Sequence, residues 1–206
     1  MIRRFLLLCL LFVMGLAAPA QNLDIDILKT IHTPAPLASD PYMSFISDSH
    51  YAVCVGVPLG LGLAGLIERD EALVMDAVEV GVASAINLGL AHLVKNSLNR
   101  TRPYDAYPGL FLKKSDGGSG SFPSGHTSAA FATATSLSLN IPKWYVVVPA
   151  YTWASAVGYS RMHLGVHYPS DVLAGALLGA GSAWVTYKLN KWLQQTYLKS
   201  DGFLFH

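Results

Sequence analysis

Apolar segments separated by short polar stretches dominate the sequence and constrain its fold more than any other feature. Hydrophobic residues make up 52% of the 206 positions and charged residues only 13%, whereas a soluble domain usually has about 25% charged residues. Such a chain is too apolar to be disordered and too poor in charge for an ordinary soluble surface. Five segments follow residue 50, namely Tyr51–Ile67, Ala72–Val94, Thr127–Ile141, Trp144–Tyr159 and Val172–Tyr187.

This pattern predicts an all-α fold, a transmembrane bundle of about five to six helices. Several segments are at the low end of the roughly 20 residues that a membrane span needs. Their length and periodicity alone therefore leave buried helices of a soluble protein open as an alternative. Small residues allow helices in membrane bundles to approach each other closely. They recur in the last segment as Gly175, Ala176, Gly179, Gly181 and Ala183.

The N-terminus has the features of an export signal. Arg3 and Arg4 precede the apolar run Phe5–Leu16, and Ala18-Pro19-Ala20 resembles a cleavage site. We therefore predict a signal peptide over residues 1–20 and a single domain over residues 21–206, with a retained first helix as the alternative. Residues 21–50 are mixed in composition and contain three prolines. We interpret them as mainly loop, with one short helix as an option.

The charged residues orient the predicted bundle. The net charge of +1 gives no support for a nucleic-acid partner. If the chain enters the membrane from the outside after residue 21, one group of cations is cytoplasmic, as the positive-inside tendency requires: Arg69, Lys143, Lys188, Lys191 and Lys199. A second group is then outside and breaks the tendency unless most members have a function: Lys29, Lys95, Arg100, Arg102, Lys113, Lys114 and Arg161.

The outer segments contain residues suited to binding a phosphate. Lys95, Arg102 and Arg161 supply three cations on one side of the membrane, and arginine matches phosphate oxygens with a planar set of donors. Ser124 is a good N-cap for a helix that begins at Gly125. A helix start directs free N–H groups towards an anion, and glycine allows close backbone approach. The pattern favours a site for a group with two or more negative charges.

Two histidines and a carboxylate accompany these cations. Asp171 follows His167 by four residues, and Pro169 suits the first turn of a helix between them. A carboxylate on one imidazole nitrogen fixes the tautomer and frees the other nitrogen to attack. His126 lies beside the predicted phosphate-binding turn and suits a general acid for the leaving oxygen.

Together these segments form the pattern K-x6-RP, PSGH and SR-x5-H-x3-D, in that order. The pattern resembles the three-part signature of the type 2 phosphatidic acid phosphatase superfamily, which includes membrane lipid phosphatases, bacterial non-specific acid phosphatases and vanadium haloperoxidases. Every signature position is filled, and the resemblance covers residues 72–187, the predicted helical core.

The resemblance implies a metal-independent phosphatase that needs no cofactor. By position, His167 is the expected nucleophile and forms a phosphohistidine, Asp171 orients it, and His126 protonates the leaving group and then activates water. The expected phosphate-binding groups are Lys95, Arg102, Ser124, Gly125 and Arg161. These roles agree with the chemistry deduced from the residue types alone.

The expected function is hydrolysis of a lipid phosphate or diphosphate at the outer, periplasmic face of a bacterial inner membrane. Undecaprenyl diphosphate, phosphatidylglycerol phosphate, phosphatidic acid and lipid A phosphate are all compatible substrates, and the oligomeric state is unknown. Alternatives are a periplasmic acid phosphatase acting on small phosphoesters, a vanadate-dependent haloperoxidase and a non-enzymatic lipid-binding protein.

One further expectation concerns the linker between residues 104 and 122, which contains a dense Gly/Ser run after Lys113 and Lys114. Its composition is typical of a flexible segment. We expect either a mobile cover over the site, with Phe111 and Leu112 near lipid and the two lysines near an anionic headgroup, or a plain exposed loop.

Overall fold

The computed structural model describes residues 17–198, and over that range the chain is helical without strands. The expected all-α fold is therefore confirmed. The helices are α1 Ala17–Ile31, α2 Asp40–Glu68, α3 Glu71–Leu98, the short α4 Pro103–Ala106, α5 Gly125–Asn140, α6 Trp144–His163 and α7 Pro169–Leu193, followed by a π-helical turn Gln194–Leu198.

Local sequence determines where the helices around the later site begin and end. Helix α3 ends at Leu98, and its C-cap Asn99 adopts a left-handed conformation with φ of 38°. Asparagine tolerates this conformation better than most residues. Helix α5 begins after the N-cap Ser124, whose Oγ accepts a hydrogen bond from the Thr127 N–H. Helix α7 begins with Pro169, which lacks the N–H that a first-turn residue would leave unpaired.

Helix α5 is at the centre of the bundle and packs against α2, α3, α6 and α7. Its contact with α7 depends on glycines of α7. A Cβ on Gly175 would lie 2.6 Å from the Ser124 carbonyl oxygen, and one on Gly179 would overlap the Ser128 carbonyl oxygen. A Cβ on Gly181 would meet no atom within 4 Å. Close helix approach therefore requires two of the small residues expected to provide it, and Gly181 is outside the contact.

Three helical stretches are long and apolar enough to cross a membrane, namely Asp40–Glu68, Glu71–Ala106 and Pro169–Thr196. Their outward side chains are apolar and exposed, for example Phe45 at 77% and Leu59 at 61% exposure. Exposed apolar surface of this extent marks a surface that contacts lipid or another protein. These features indicate a membrane protein, with α5 and α6 completing the bundle.

The interpretation of residues 21–50 as mainly loop is wrong. Helix α1 extends to Ile31, and α2 begins at Asp40, eleven residues before the first predicted apolar segment. The opening turns of α2 carry polar side chains, among them buried Ser47 and His50, so hydropathy does not detect them. Of the predicted signal peptide, residues 1–16 are outside the described residues, and Ala17–Ala20 are the first turn of α1.

Candidate active site

All eight predicted site residues are at one end of the bundle. Helices α3 and α6 end there, and α5 and α7 begin there, because consecutive helices run in opposite directions. A backbone hydrogen bond of 3.0 Å from the Ser124 N–H to the Asp171 carbonyl joins the start of α5 to the start of α7. Lys95, in the last turn of α3, interacts electrostatically with Arg102, Arg161 and Asp171. The structure thus brings the three separate sequence segments together.

Arg102 is buried beside the histidine of the third segment. Its Nη1 lies 3.4 Å from the Nε2 atom of His167 and donates a 2.8 Å hydrogen bond to the Val166 carbonyl. Its Nη2 donates to the Ser119 carbonyl at 3.0 Å. Fixed in this way, the guanidinium is oriented before any anion arrives.

Arg161 is 1% exposed and spans from α6 to α2 and the linker. Its Nη1 donates to the Ser47 Oγ at 2.6 Å and to the Ser115 Oγ at 3.2 Å, and its Nη2 donates to the Asp116 carbonyl at 3.1 Å. Within the described residues its buried Nε has no hydrogen-bond partner. A buried donor of this kind is costly unless a ligand accepts from it.

The Gly/Ser run of the linker contacts the site, so the expectation of a plain exposed loop is wrong, as are the positions expected for Phe111 and Lys114. Backbone carbonyls of the run accept hydrogen bonds from Arg102 and Arg161, because two buried guanidinium groups need acceptors. Phe111, expected near lipid, is 4% exposed and packs with Leu28. Lys114, expected near a headgroup, instead forms a 3.1 Å ion pair with Asp40.

The PSGH segment forms a helix start directed into this end of the bundle. Ser124 is fully buried, and its Oγ lies 2.8 Å from the Thr127 Oγ1. Gly125 is the first residue of α5, and a Cβ there would meet no atom within 4 Å. Neighbouring protein atoms therefore leave Gly125 open, and the first N–H groups of α5 provide the positive end of a helix dipole.

His167 and Asp171 form the centre of the site and are almost completely buried, at 1% and 0% exposure. The His167 Nδ1 faces the Asp171 Oδ2 at 3.5 Å, a distance and geometry that fall short of a full hydrogen bond, and Nδ1 has no other partner among the described residues. Burial lowers the pKa of His167 to about 4, and the nearby Asp171 only partly offsets that effect. This shift favours neutral His167 at physiological pH, with a lone pair on Nε2.

His126 lies in the first turn of α5 and stacks on His50 of α2. The two ring centroids are 3.8 Å apart at an interplanar angle of 38°. Burial, with Arg161 and His50 nearby, holds the pKa of His126 well below its usual range. A bound phosphate would oppose the arginine charge and raise this pKa, since an adjacent anion favours the imidazolium form. His126 can thus be a proton donor in the complex even though it is neutral in the free protein.

Three residues at the site were missed by the sequence analysis. Arg100 was noted only as an outer cation, yet its Nη1 contacts the Asp171 Oδ1 at 2.7 Å. Asp24 of α1 binds Arg100, and His50 stacks on His126. These partners are tens of residues apart in sequence, so no local pattern could pair them. The requirement that the outer cations have a function was the one signal pointing to Arg100.

Between residues 17 and 198, no group of three or more His, Cys, Asp or Glu side chains is arranged to hold a metal ion. The predicted site residues present instead a set of hydrogen-bond donors and cations, which suits direct binding of an anion.

The sequence is similar to a known protein family and to individual phosphatases. Residues 76–195 match the PAP2 superfamily. The chain is 32% identical over 106 residues to an undecaprenyl-diphosphatase of Sulfolobus acidocaldarius, covering 52% of this chain and 50% of that protein. It is 33% identical over 153 residues to a lipid A 1-phosphatase of Rhizobium etli, covering 68% of this chain and 65% of that protein.

A solved structure shares the fold. The transmembrane PAP2-type phosphatidylglycerolphosphate phosphatase of Bacillus subtilis superimposes with a TM-score of 0.73 at 23% identity, covering 95% of this chain and 98% of that one. In contrast, the chain spans only about half to two thirds of the length of the two curated relatives.

Proposed function

The chain belongs to the PAP2 superfamily, and on that premise we propose that it is a metal-independent phosphatase of lipid phosphates or diphosphates. The observation that carries the proposal is the convergence of His167, Asp171, His126 and three cations at one end of an apolar helical bundle. The names of the relatives, which include an undecaprenyl-diphosphatase and a lipid A 1-phosphatase, support lipid-linked phosphate as the substrate class.

The reaction proceeds in two displacements. The Nε2 atom of neutral His167 attacks phosphorus, an N–P bond forms, and the P–O bond to the lipid breaks as His126 donates its proton to the leaving oxygen. Neutral His126 then takes a proton from water, whose oxygen attacks phosphorus and breaks the N–P bond. Inorganic phosphate leaves and His167 is regenerated. Asp171 stabilises the positive charge that develops on the His167 ring.

The cations supply most of the transition-state stabilisation. Phosphoryl transfer needs in-line positioning and neutralisation of charge on the non-bridging oxygens. On this proposal Arg102, Arg161 and Lys95 surround the phosphoryl group. The Gly125 N–H and Ser124 complete the set of groups that bind its oxygens. Loss of one such donor commonly reduces the rate by about 10²–10³.

The substrate is expected to enter from the outer leaflet with its phosphate at headgroup level. The site is at one end of stretches long enough to span a bilayer, so a lipid phosphate reaches it while its chains stay in hydrocarbon. On this proposal the protein resides in a bacterial inner membrane, with residues 1–20 directing export and residues 21–206 forming one domain.

The decisive experiment is phosphate release by purified protein in detergent. The panel contains a prenyl diphosphate, a glycerolipid phosphate, lipid A and p-nitrophenyl phosphate, each assayed with and without EDTA. We expect turnover of at least one lipid substrate and no detectable turnover by the His167→Ala variant. Unchanged turnover by that variant would remove the proposed nucleophile, and abolition by EDTA would contradict the metal-free mechanism.

The same panel, with assays of bromide oxidation and lipid binding, tests the alternatives. Turnover of p-nitrophenyl phosphate with no lipid turnover would favour the small-phosphoester phosphatase. Vanadate-dependent bromide oxidation would favour the haloperoxidase, whereas vanadate is expected to inhibit the phosphatase. Lipid binding without any phosphate release would favour the non-enzymatic alternative.

A further inference from the structure

We propose that Arg100 of the segment after α3 and Asp24 of α1 form a positioning pair that holds Asp171 in place behind the nucleophile. This inference rests on the proposed phosphatase function and adds two residues that do not touch the phosphate. It also gives α1, which lies entirely outside the residues matched to the family, a role in the reaction.

The evidence begins with the surroundings of Asp171. Its carboxylate is fully buried, and each oxygen has a fixed partner. The Oδ2 atom accepts from the Tyr168 N–H at 2.9 Å and faces the His167 Nδ1 at 3.5 Å. The Oδ1 atom accepts from the Arg100 Nη1 at 2.7 Å. Arg100 is thus the charged group that compensates a carboxylate with no access to water, and buried charges need such compensation.

Arg100 is in turn fixed from three directions. Its Nη2 donates to the Asp24 Oδ2 at 2.8 Å, and its Nη1 also donates to the Ser170 Oγ at 2.7 Å. The guanidinium carbon lies 4.0 Å from the centroid of the Tyr168 ring, a distance typical of a cation–π contact. A planar guanidinium makes these contacts together, whereas a lysine ammonium has no comparable planar set of hydrogen-bond donors.

Asp24 connects this arrangement to α1 and also stabilises the start of α7. It is 5% exposed, and its Oδ1 accepts from the Ser170 N–H at 2.8 Å. That N–H is in the first turn of α7, where it has no partner within the helix. A carboxylate at a helix start is further favoured by the helix dipole. One side chain of α1 therefore orients Arg100 and anchors the turn that carries Asp171.

These contacts make Arg100 a positioning residue. Both of its terminal nitrogens donate hydrogen bonds to Asp171, Ser170 or Asp24. Arg100 therefore acts on the phosphoryl group through Asp171 and His167. Loss of the pair should misplace the nucleophile and lower kcat while leaving KM almost unchanged. Misplacement by about 1 Å, or loss of a group that orients a reacting one, reduces rates by about 10- to 100-fold.

The test is a set of double-mutant cycles measured as kcat and KM on p-nitrophenyl phosphate and on the best lipid substrate. Asp24→Asn and Arg100→Lys are each expected to lower kcat by about 10- to 100-fold, and the double variant to lose little more than the worse single one. Neither change should add to the loss caused by Asp171→Asn. Asp26→Asn, which removes an exposed carboxylate on the same helix, is the matched control and should match the wild type.

The outcomes separate this inference from the function on which it rests. A wild-type protein inactive on every substrate would refute the proposed function. An active wild type with unchanged Asp24→Asn and Arg100→Lys variants would refute only the positioning pair. Two further outcomes would also overturn it, because they indicate a general structural role. One is a loss of kcat that multiplies with the loss caused by Asp171→Asn. The other is a loss of kcat that follows the fraction of folded protein in thermal unfolding.

Discussion

At the scale of residues, burial of His167 lowers the pKa of the proposed nucleophile. Taking an imidazolium out of water is unfavourable, and the two nearby arginines add to that cost. The carboxylate of Asp171 acts in the opposite direction but does not restore the ordinary value. His167 is therefore expected to stay neutral well into the acidic range, as its proposed role as nucleophile requires.

This balance predicts the titration of His167. Because its pKa in the folded protein is about 4, His167 should become protonated far below the ordinary pKa of about 6.5. The value of kcat/KM should therefore fall through protonation of His167 only as the pH approaches 4. Since Asp171 raises the pKa, Asp171→Asn should shift protonation to still lower pH. NMR titration of ¹³C-labelled histidines in detergent measures the pKa of His167 in the wild type and in Asp171→Asn. The His167→Gln variant assigns the signal. A His167 midpoint at or above 6.5 would contradict the account.

The residues of the site differ in how far sequence could predict them. The predicted positions converge because each is next to a helix end and alternating helices bring those ends together. Arg100 and Asp24 contact each other across 76 positions, and no periodicity or motif spacing encodes such a pair. The same holds for His50 and His126. Whether the converged residues act as assigned remains a prediction that the variants test.

At the scale of elements, α7 holds the site in place through glycines that face α5. Gly179 is in the contact with the Ser128 backbone, and Gly175 faces Ser124, the N-cap of α5. Since the obstructing atoms are backbone, a side chain at either position requires the helices to separate. Separation would also displace the start of α5, which carries the N–H groups proposed to bind phosphate.

The glycine contact predicts different effects for two neighbouring positions. Gly179→Ala should destabilise the protein, because overpacking against backbone costs about 1–3 kcal/mol or more, and should lower its thermal unfolding midpoint in detergent. Gly181→Ala is the control on the same helix, where a Cβ meets no atom within 4 Å. It should be neutral or slightly stabilising, because alanine favours helix over glycine by about 1 kcal/mol. Equal unfolding midpoints for the two variants would contradict the proposed role of the α5–α7 contact.

Sequence predicted the centres of the long helices better than their starts. The error was largest for α2, because its opening turns use polar residues to reach the site. Asp40 binds Lys114 and His163, Ser47 accepts from Arg161, and His50 stacks on His126. A hydropathy pattern predicts loop for such polar residues. Here they are helical, because tertiary contacts satisfy their polar groups.

At the scale of the whole molecule, the few charges are divided between the two ends of the bundle. Lys143 lies between α5 and α6, at the end opposite the site, and Arg69 lies at that same end between α2 and α3. Cations at the site end are largely bound within the structure, as Arg100, Arg161 and Lys114 illustrate. The outer cations therefore do not oppose a positive-inside orientation, because their charges serve internal contacts and the proposed phosphate site.

This division predicts the orientation of the protein in the membrane. In a background lacking Cys9 and Cys54, Lys113→Cys marks the site end and Lys143→Cys the opposite end. Both positions are exposed, and Lys113 makes an exposed ion pair with Asp116 and a 5.7 Å cation–π contact with Tyr104, both of small energetic value. A membrane-impermeant maleimide should label Lys113→Cys in intact spheroplasts, and Lys143→Cys only after permeabilisation. The reverse pattern would place the site in the cytoplasm, and labelling of both without permeabilisation would contradict a membrane-spanning bundle.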